Sequence, residues 1–160
     1  MEDALRKDSP RKDSKSSSRK TGFDRPQPAS EERARVIVAD DDPLILDQIA
    51  SLLETRFEVV ARVENGSELV DAVKRLAPAV VVADIAMPKM NGIDATRQIT
   101  KTNRDVRVVM LSGYSDGALV EAAFDAGASG YVVKLTAFTE LIPAIEKVLA
   151  GHSHWPSDLP

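Results

Sequence analysis

The sequence predicts an α/β fold in which a parallel sheet is covered by helices on both faces. Two observations carry this. From residue 36 onward, short apolar runs alternate with segments whose apolar residues recur at helical spacing, five of each in about 115 residues. The runs "VIVA", "VVVA" and "VVML" are apolar at every position, as strands buried on both faces must be. In chain order, "RVIVAD" (35–40) is the first strand. "PLILDQIASLLETR" (43–56) is a helix with Pro43 at its first position, preceded by three aspartates of which one suffices as cap. "FEVVARV" (57–63) alternates more than the other strands and suits a sheet edge. "GSELVDAVKRLA" (66–77) is helical, "AVVVAD" (79–84) a strand, and "MNGIDATRQITKTN" (90–103) helical again. "VRVVMLS" (106–112), "GALVEAAFDAGA" (117–128) and "GYVVK" (130–134) continue the alternation as strand, helix and strand. The last helix, "AFTELIPAIEKVLAG" (137–151), contains Pro143. Its missing N–H and its ring predict a kink there, or a late helix start near Thr139.

Composition narrows the function classes. The 160 residues contain no cysteine, which excludes disulfides, thiolate catalysis and Cys-based zinc sites. The two histidines, His152 and His154, both sit near the C-terminus, so serine–histidine catalysis in the core is not expected. No apolar run approaches the roughly 18 residues of a membrane helix, and a cytoplasmic location is the default expectation. The formal charge of −4 divides unevenly, with +3 on residues 1–35 and −7 on the remainder. An acidic body argues against direct nucleic-acid binding by the folded part. Residues 1–34 are rich in Ser, Lys, Arg and Pro with little apolar content, and are expected to form a disordered, solubilising arm. Residues 152–160 read as a frayed C-terminal tail in which Trp155 offers no functional clue.

Open sheets of this class bind ligands at the carboxyl ends of their strands. There the sequence places Asp40, Asp41 and Asp42, then Asp84, Ser112 and Lys134. Each alone has a bland reading: a helix cap, a loop carboxylate, a turn hydroxyl, a solvated ammonium. Together they supply the ligands of a hard cation and the partners of an anion. Magnesium takes one or two carboxylates and keeps water and phosphate oxygens. Asp41 and Asp84 suit direct ligation, Asp40 ligation through water. A carboxylate can also accept a phosphoryl group, with Lys134 and Ser112 then answering its oxygens.

The segments "VIVADDDPLIL", "VVVADIAMPKMNGIDATRQI", "VVMLSGYSD" and "GASGYVVKLTAFTELIPAI" closely resemble the receiver domains of response regulators, nearest the NarL-like subfamily. The resemblance covers residues 35–151 and implies a flavodoxin-like (βα)5 fold with strand order 2-1-3-4-5. It implies Asp84 as phospho-acceptor, and Asp40 and Asp41 as the acidic pair for Mg²⁺, with Asp84 and the Ala86 backbone carbonyl completing the protein ligands. It further implies Ser112 as switch hydroxyl, Lys134 as the site lysine and Tyr131 as the switch aromatic. Asp42 stands where the subfamily often has histidine, which leaves it free to cap. Leu135 replaces the proline that often follows the lysine.

The resemblance implies a phosphorylation switch. A sensor histidine kinase or phosphotransfer protein donates to Asp84, and the chain is no enzyme beyond its own phosphorylation and dephosphorylation. The face formed by the fourth helix, fifth strand and fifth helix, residues 117–150, then changes and is the expected surface for a homodimer or partner. Leu119, Val120 and Phe124 lie there, part core and part surface. Ala86 and Tyr114 flank the approach of water to the acyl phosphate without orienting it, so a long-lived phosphoryl group is expected. No DNA-binding domain is read in the chain. A stand-alone receiver is favoured, and a receiver fragment of a NarL-like transcriptional regulator is the alternative. A haloacid-dehalogenase-like phosphatase using Asp40 as nucleophile, and a receiver that is never phosphorylated, are the remaining readings.

Overall fold

The computed structural model describes residues 32–156. Most of the expected N-terminal arm, and residues 157–160, lie outside the described residues. Five strands alternate with five helices: β1 (Arg35–Ala39), α1 (Pro43–Leu53), β2 (Glu58–Val63), α2 (Gly66–Leu76), β3 (Val80–Asp84), α3 (Gly92–Thr102), β4 (Arg107–Ser112), α4 (Gly117–Asp125), β5 (Gly130–Val133) and α5 (Ala137–Leu149). All pairings are parallel and the order across the sheet is β2-β1-β3-β4-β5, the flavodoxin-like order expected. β2 is an edge, as its alternation implied, with its first five residues exposed or half-buried.

Side chains of a strand alternate between faces, and here each face has its own core. Ile37, Val81, Val108, Met110 and Tyr131 pack with Leu69, Val73, Ile99 and Ala123 from α2, α3 and α4. Val36, Val82, Val109, Leu111 and Val132 pack with Leu53, Leu141 and Ile145 from α1 and α5. This two-sided burial is why the central strands carry no polar alternation. The register also decides where the strands stop. Ala39 pairs with Ala83, Asp84 with Leu111, and Ser112 with Val133, so Asp40, Asp84, Ser112 and Lys134 all reach one end of the sheet.

Helix starts follow their caps. Asp42, Asn65, Asn91 and Asp116 each accept a backbone N–H of the following first turn, a contribution of about 1 kcal/mol apiece. The last helix departs from expectation. A 3₁₀ turn (Lys134–Thr136) leads directly into α5, which begins at Ala137 rather than near Thr139 and continues through Pro143 to Leu149. Pro143 and Thr139 both face solvent, so water can satisfy the Thr139 carbonyl that the proline leaves without its helical donor.

The C-terminal tail is not frayed over residues 152–156. α5 closes in a Schellman motif: His152 N–H donates to the Lys147 carbonyl at 2.9 Å and Gly151 N–H to Val148 at 3.1 Å. Gly151 adopts φ +92°, which a side chain would strain. The reversed chain runs beside β5, where His154 forms a parallel bridge with Gly130. His154 N–H donates to the Ser129 carbonyl at 3.1 Å, and Tyr131 N–H donates to the His154 carbonyl at 2.8 Å.

Replacing Pro143 restores one helical hydrogen bond and relieves the ring contact, worth about 3 kcal/mol in a helix interior. The proline's restriction of the unfolded chain offsets up to about 1 kcal/mol of this. Pro143→Ala is therefore expected to stabilise the fold by about 2 kcal/mol, read as a raised urea midpoint with an unchanged slope.

Candidate functional site

Asp40 follows β1 directly and is 2% exposed. Its N–H is tied to the Val63 carbonyl at 3.1 Å, and its Oδ1 accepts the Asp42 N–H at 2.9 Å. Asp42 in turn accepts from Leu44 N–H at 3.0 Å and Ile45 N–H at 3.4 Å, which makes it the cap of α1. Asp41 between them is exposed. The aspartate triplet therefore has three environments: a buried carboxylate, an exposed one over the site, and a helix cap.

Asp84 ends β3 and is 7% exposed. Lys134 reaches over from the end of β5, its Nζ 2.9 Å from Asp40 Oδ2 and 3.3 Å from Asp84 Oδ2. Burial pushes the Asp84 carboxyl above the ordinary carboxylate range, and the Asp40 charge adds to it against the opposing pull of Lys134. For the Lys134 ammonium, burial acts downward, but its contact with Asp40 and the charges of Asp84 and Asp40 outweigh it and raise the pKa. One ammonium cannot balance three carboxylates.

Oxygens of Asp40, Asp41 and Asp84 lie within 4.8 Å of one another. Asp40 Oδ2 is buried and, although paired with the Lys134 ammonium, accepts no hydrogen bond of regular geometry. An oxygen-only donor set with such an under-satisfied buried carboxylate oxygen fits a hard divalent cation such as Mg²⁺. Ala86 sits exposed on the loop two residues beyond Asp84.

The loop after β3 is held by two close backbone approaches. Gly92 N–H donates to Ile85 O at 2.8 Å and Gly66 N–H to Met90 O at 2.9 Å. A Cβ on Gly92 would sit 2.0 Å from the Asp84 carbonyl oxygen, and one on Gly66 would sit 2.1 Å from that of Met90. Gly92, Gly66 and the Asn91 cap of α3 thus shape the turn around Asp84. The glycine of "MNG" was visible in the sequence; its contact with the Asp84 backbone was not.

Ser112, at the end of β4, is buried, and its Oγ accepts the Tyr114 N–H at 3.2 Å. The Tyr131 ring is enclosed, and its hydroxyl donates to the Tyr114 carbonyl at 2.5 Å. Burial raises the Tyr131 phenol pKa; Asp116 and Asp84 add to this, against a hydrogen bond with Ser112. Tyr114 itself is exposed, and Leu135 points outward at 90% exposure beside Lys134. On the face expected for partners, Val120 is core, Leu119 half-buried, and Phe124 63% exposed.

Because the Asp84 pKa is raised on folding, the fold favours the protonated carboxyl. That contribution is full below the ordinary carboxylate range and is lost as pH rises through the raised value. At pH 7 without metal, Asp84→Asn is expected to raise the urea midpoint, and excess Mg²⁺ to stabilise the parent chain more than the variant. A lower midpoint for the variant in metal-free buffer would contradict the charge crowding.

No helix among the described residues is long and apolar enough to cross a membrane. The response regulator receiver domain family matches residues 36–146. Among curated proteins, the transcriptional regulatory protein LnrK of Bacillus subtilis is 36% identical over 127 residues, covering 78% of this chain and 58% of LnrK. PdtaR of Mycobacterium tuberculosis is 40% identical over 70% of this chain and 55% of its own length. The chain thus spans rather more than half the length of these regulators, whereas it covers 97% of the B. subtilis chemotaxis protein CheY at 34% identity. Among solved structures, a LuxR-family two-component response regulator from Aurantimonas sp. SI85-9A1 superposes with a TM-score of 0.76 at 34% identity, over 79% of this chain and 92% of that one. Fold, matched span and relatives agree: this chain belongs to the response regulator receiver domain family.

Proposed function

We propose that the chain is a phosphorylation-activated receiver of a two-component phosphorelay, with Asp84 as acceptor and a sensor histidine kinase or phosphotransfer protein as donor. The observation that carries the proposal is the Lys134 ammonium bridging Asp40 and Asp84 beside Asp41. In the transfer, an Asp84 carboxylate oxygen attacks the donor's phosphorus as the bond to the donor imidazole nitrogen breaks. The imidazole leaves with the electron pair and an acyl phosphate remains on Asp84. Lys134 answers one phosphoryl oxygen, and the Ser112 hydroxyl donates to another once it turns from Tyr114 N–H. Asp40, Asp41, Asp84 and the Ala86 carbonyl would hold Mg²⁺, which supplies charge neutralisation for the incoming group. Asp42, engaged as a cap, takes no part.

Residues 35–151 carry this function in the proposal, in the cytoplasm, with residues 1–34 as a solvated arm and residues 117–150 as the responding face. The lengths of LnrK and PdtaR, both named transcriptional regulatory proteins, favour a second reading of the output, in which the receiver governs DNA binding in a longer protein. The phosphatase reading fares worse. Its nucleophile would be Asp40, whose oxygens are already turned to the Asp42 N–H and Lys134 in a 2%-exposed position.

Incubation with acetyl phosphate and Mg²⁺, followed by peptide mapping, is expected to place one phosphoryl group on Asp84. Label on Asp40 with rapid turnover would support the phosphatase instead, and no label would support a receiver that is never phosphorylated. Asp41→Ala is expected to abolish Mg²⁺-dependent labelling, whereas Asp42→His should leave it largely intact.

Ala86 and Tyr114 offer water neither carboxylate nor amide, so the acyl phosphate is expected to persist for minutes or longer. A half-life of seconds in an isolated-chain decay measurement would refute that.

A further inference from the structure

On an acidic body, the cations are gathered in one region. Residues 36–160 carry −7, yet the stretch 74–107 holds seven Lys/Arg against three Asp, of which Asp84 is buried in the site. Part of this charge lines a groove of about 350 Å³ between the turn after β3 and the exposed side of α3, formed by Lys89, Met90, Asp94, Arg97, Gln98 and Lys101. The single carboxylate there is already engaged. Asp94 Oδ1 accepts from Arg97 at 2.7 Å and its Oδ2 from the Asn91 side-chain amide at 3.2 Å. Among the described residues, neither Lys89 nor Lys101 has a carboxylate within ion-pair distance. The groove therefore keeps two uncompensated ammonium groups, with the half-buried Met90 as its apolar wall.

Lys89 is held under strain. Its φ is +68°, and the Met90 N–H donates across it to the Pro88 carbonyl at 2.7 Å, closing a γ-turn of the rare, strained kind. The turn is pinned next to this bond, where the Met90 carbonyl accepts the Gly66 N–H at 2.9 Å. Glycine would adopt such a φ freely. The Lys89 side chain is exposed and unpaired among the described residues, so nothing within the fold offsets the strain. Strained non-glycine residues of this sort collect at ligand clamps.

We infer that the groove along α3 docks an acidic segment of a partner protein. Its carboxylates would meet Lys89, Lys101 and the Arg97 guanidinium, and an apolar residue would meet Met90. The inference goes beyond the phospho-receiver reading and does not rest on it. α3 is about 16 Å long, which matches about five residues of extended chain. The reach of charge favours protein over nucleic acid. Screening at physiological salt confines each field to about 8 Å, so a short acidic segment meets only the local excess of cations. A nucleic-acid strand would run beyond the patch onto a surface that is acidic on balance.

The test follows amide chemical shifts of the isotope-labelled full chain while a short capped peptide of glutamate and leucine is added at low salt. Shifts are expected on residues 88–104, with affinity falling as salt is raised. Shifts centred elsewhere, or none up to about 1 mM peptide, overturn the inference. Lys89→Gly combined with Lys101→Gln is expected to weaken binding about tenfold with far-UV circular dichroism unaltered. Binding equal to that of the parent chain would refute the groove. Lys147→Gln removes a cation from α5, which packs on the other face of the sheet, and is expected to leave binding unchanged. An equal loss in that variant would show that only net charge matters, and would also refute the groove. A single-stranded oligonucleotide of the same charge is expected to bind more weakly; one that binds as tightly at the same residues overturns the choice of a protein partner.

Discussion

Two carboxylates, Asp40 and Asp84, are carried to the ends of adjacent parallel strands and held against a single ammonium, and most of the architecture serves that placement. Parallel strands in register end together, so residues distant in sequence acquire one neighbourhood without any of them being on a long loop. Burial makes each charge expensive, and Lys134 offsets only part of the repulsion, as the raised Asp84 pKa records. The remaining imbalance is the charge that a cation, in the function proposed above, would offset.

The supporting structure is correspondingly rigid. The strands that carry the acids, β1 and β3, are central and buried on both faces, so their ends have little freedom. The turn beyond Asp84 is pinned by contacts that only glycine permits at residues 66 and 92. The hydroxyl half of the site stands beside the exposed loop 113–116 and next to β5, which is both the last strand and a sheet edge.

Edges are a hazard for any sheet, because unpaired backbone groups invite pairing with another chain. β2 covers itself with charge: Arg62 pairs with Asp47 at 2.9 Å and Glu54 at 3.3 Å. β5 is covered by the segment ending at Pro156. The cover rests on the Tyr131 N–H and on the Phe124 ring.

Much of this was legible in the residues alone. Periodicity located all five strands and helices, because two-sided burial leaves unbroken apolar runs and one-sided burial leaves helical stripes. Asp40, Asp41, Asp84, Ser112 and Lys134 could be nominated because parallel strands must end on the same side, and the strand ends were readable. The fate of Pro143 was not, since a helix tolerates proline where its orphaned carbonyl faces water, and exposure is a tertiary property. Nor was the tail: Gly151 after a helix marks a turn, but whether the chain beyond it finds an open strand edge depends on which strand is outermost. By itself the sequence determined which groups are present and which strand ends carry them, through local pattern. Only the tertiary structure decided which aspartate is buried, which caps a helix, and what Trp155 touches, because those depend on neighbours brought from distant parts of the chain by the packing of the sheet.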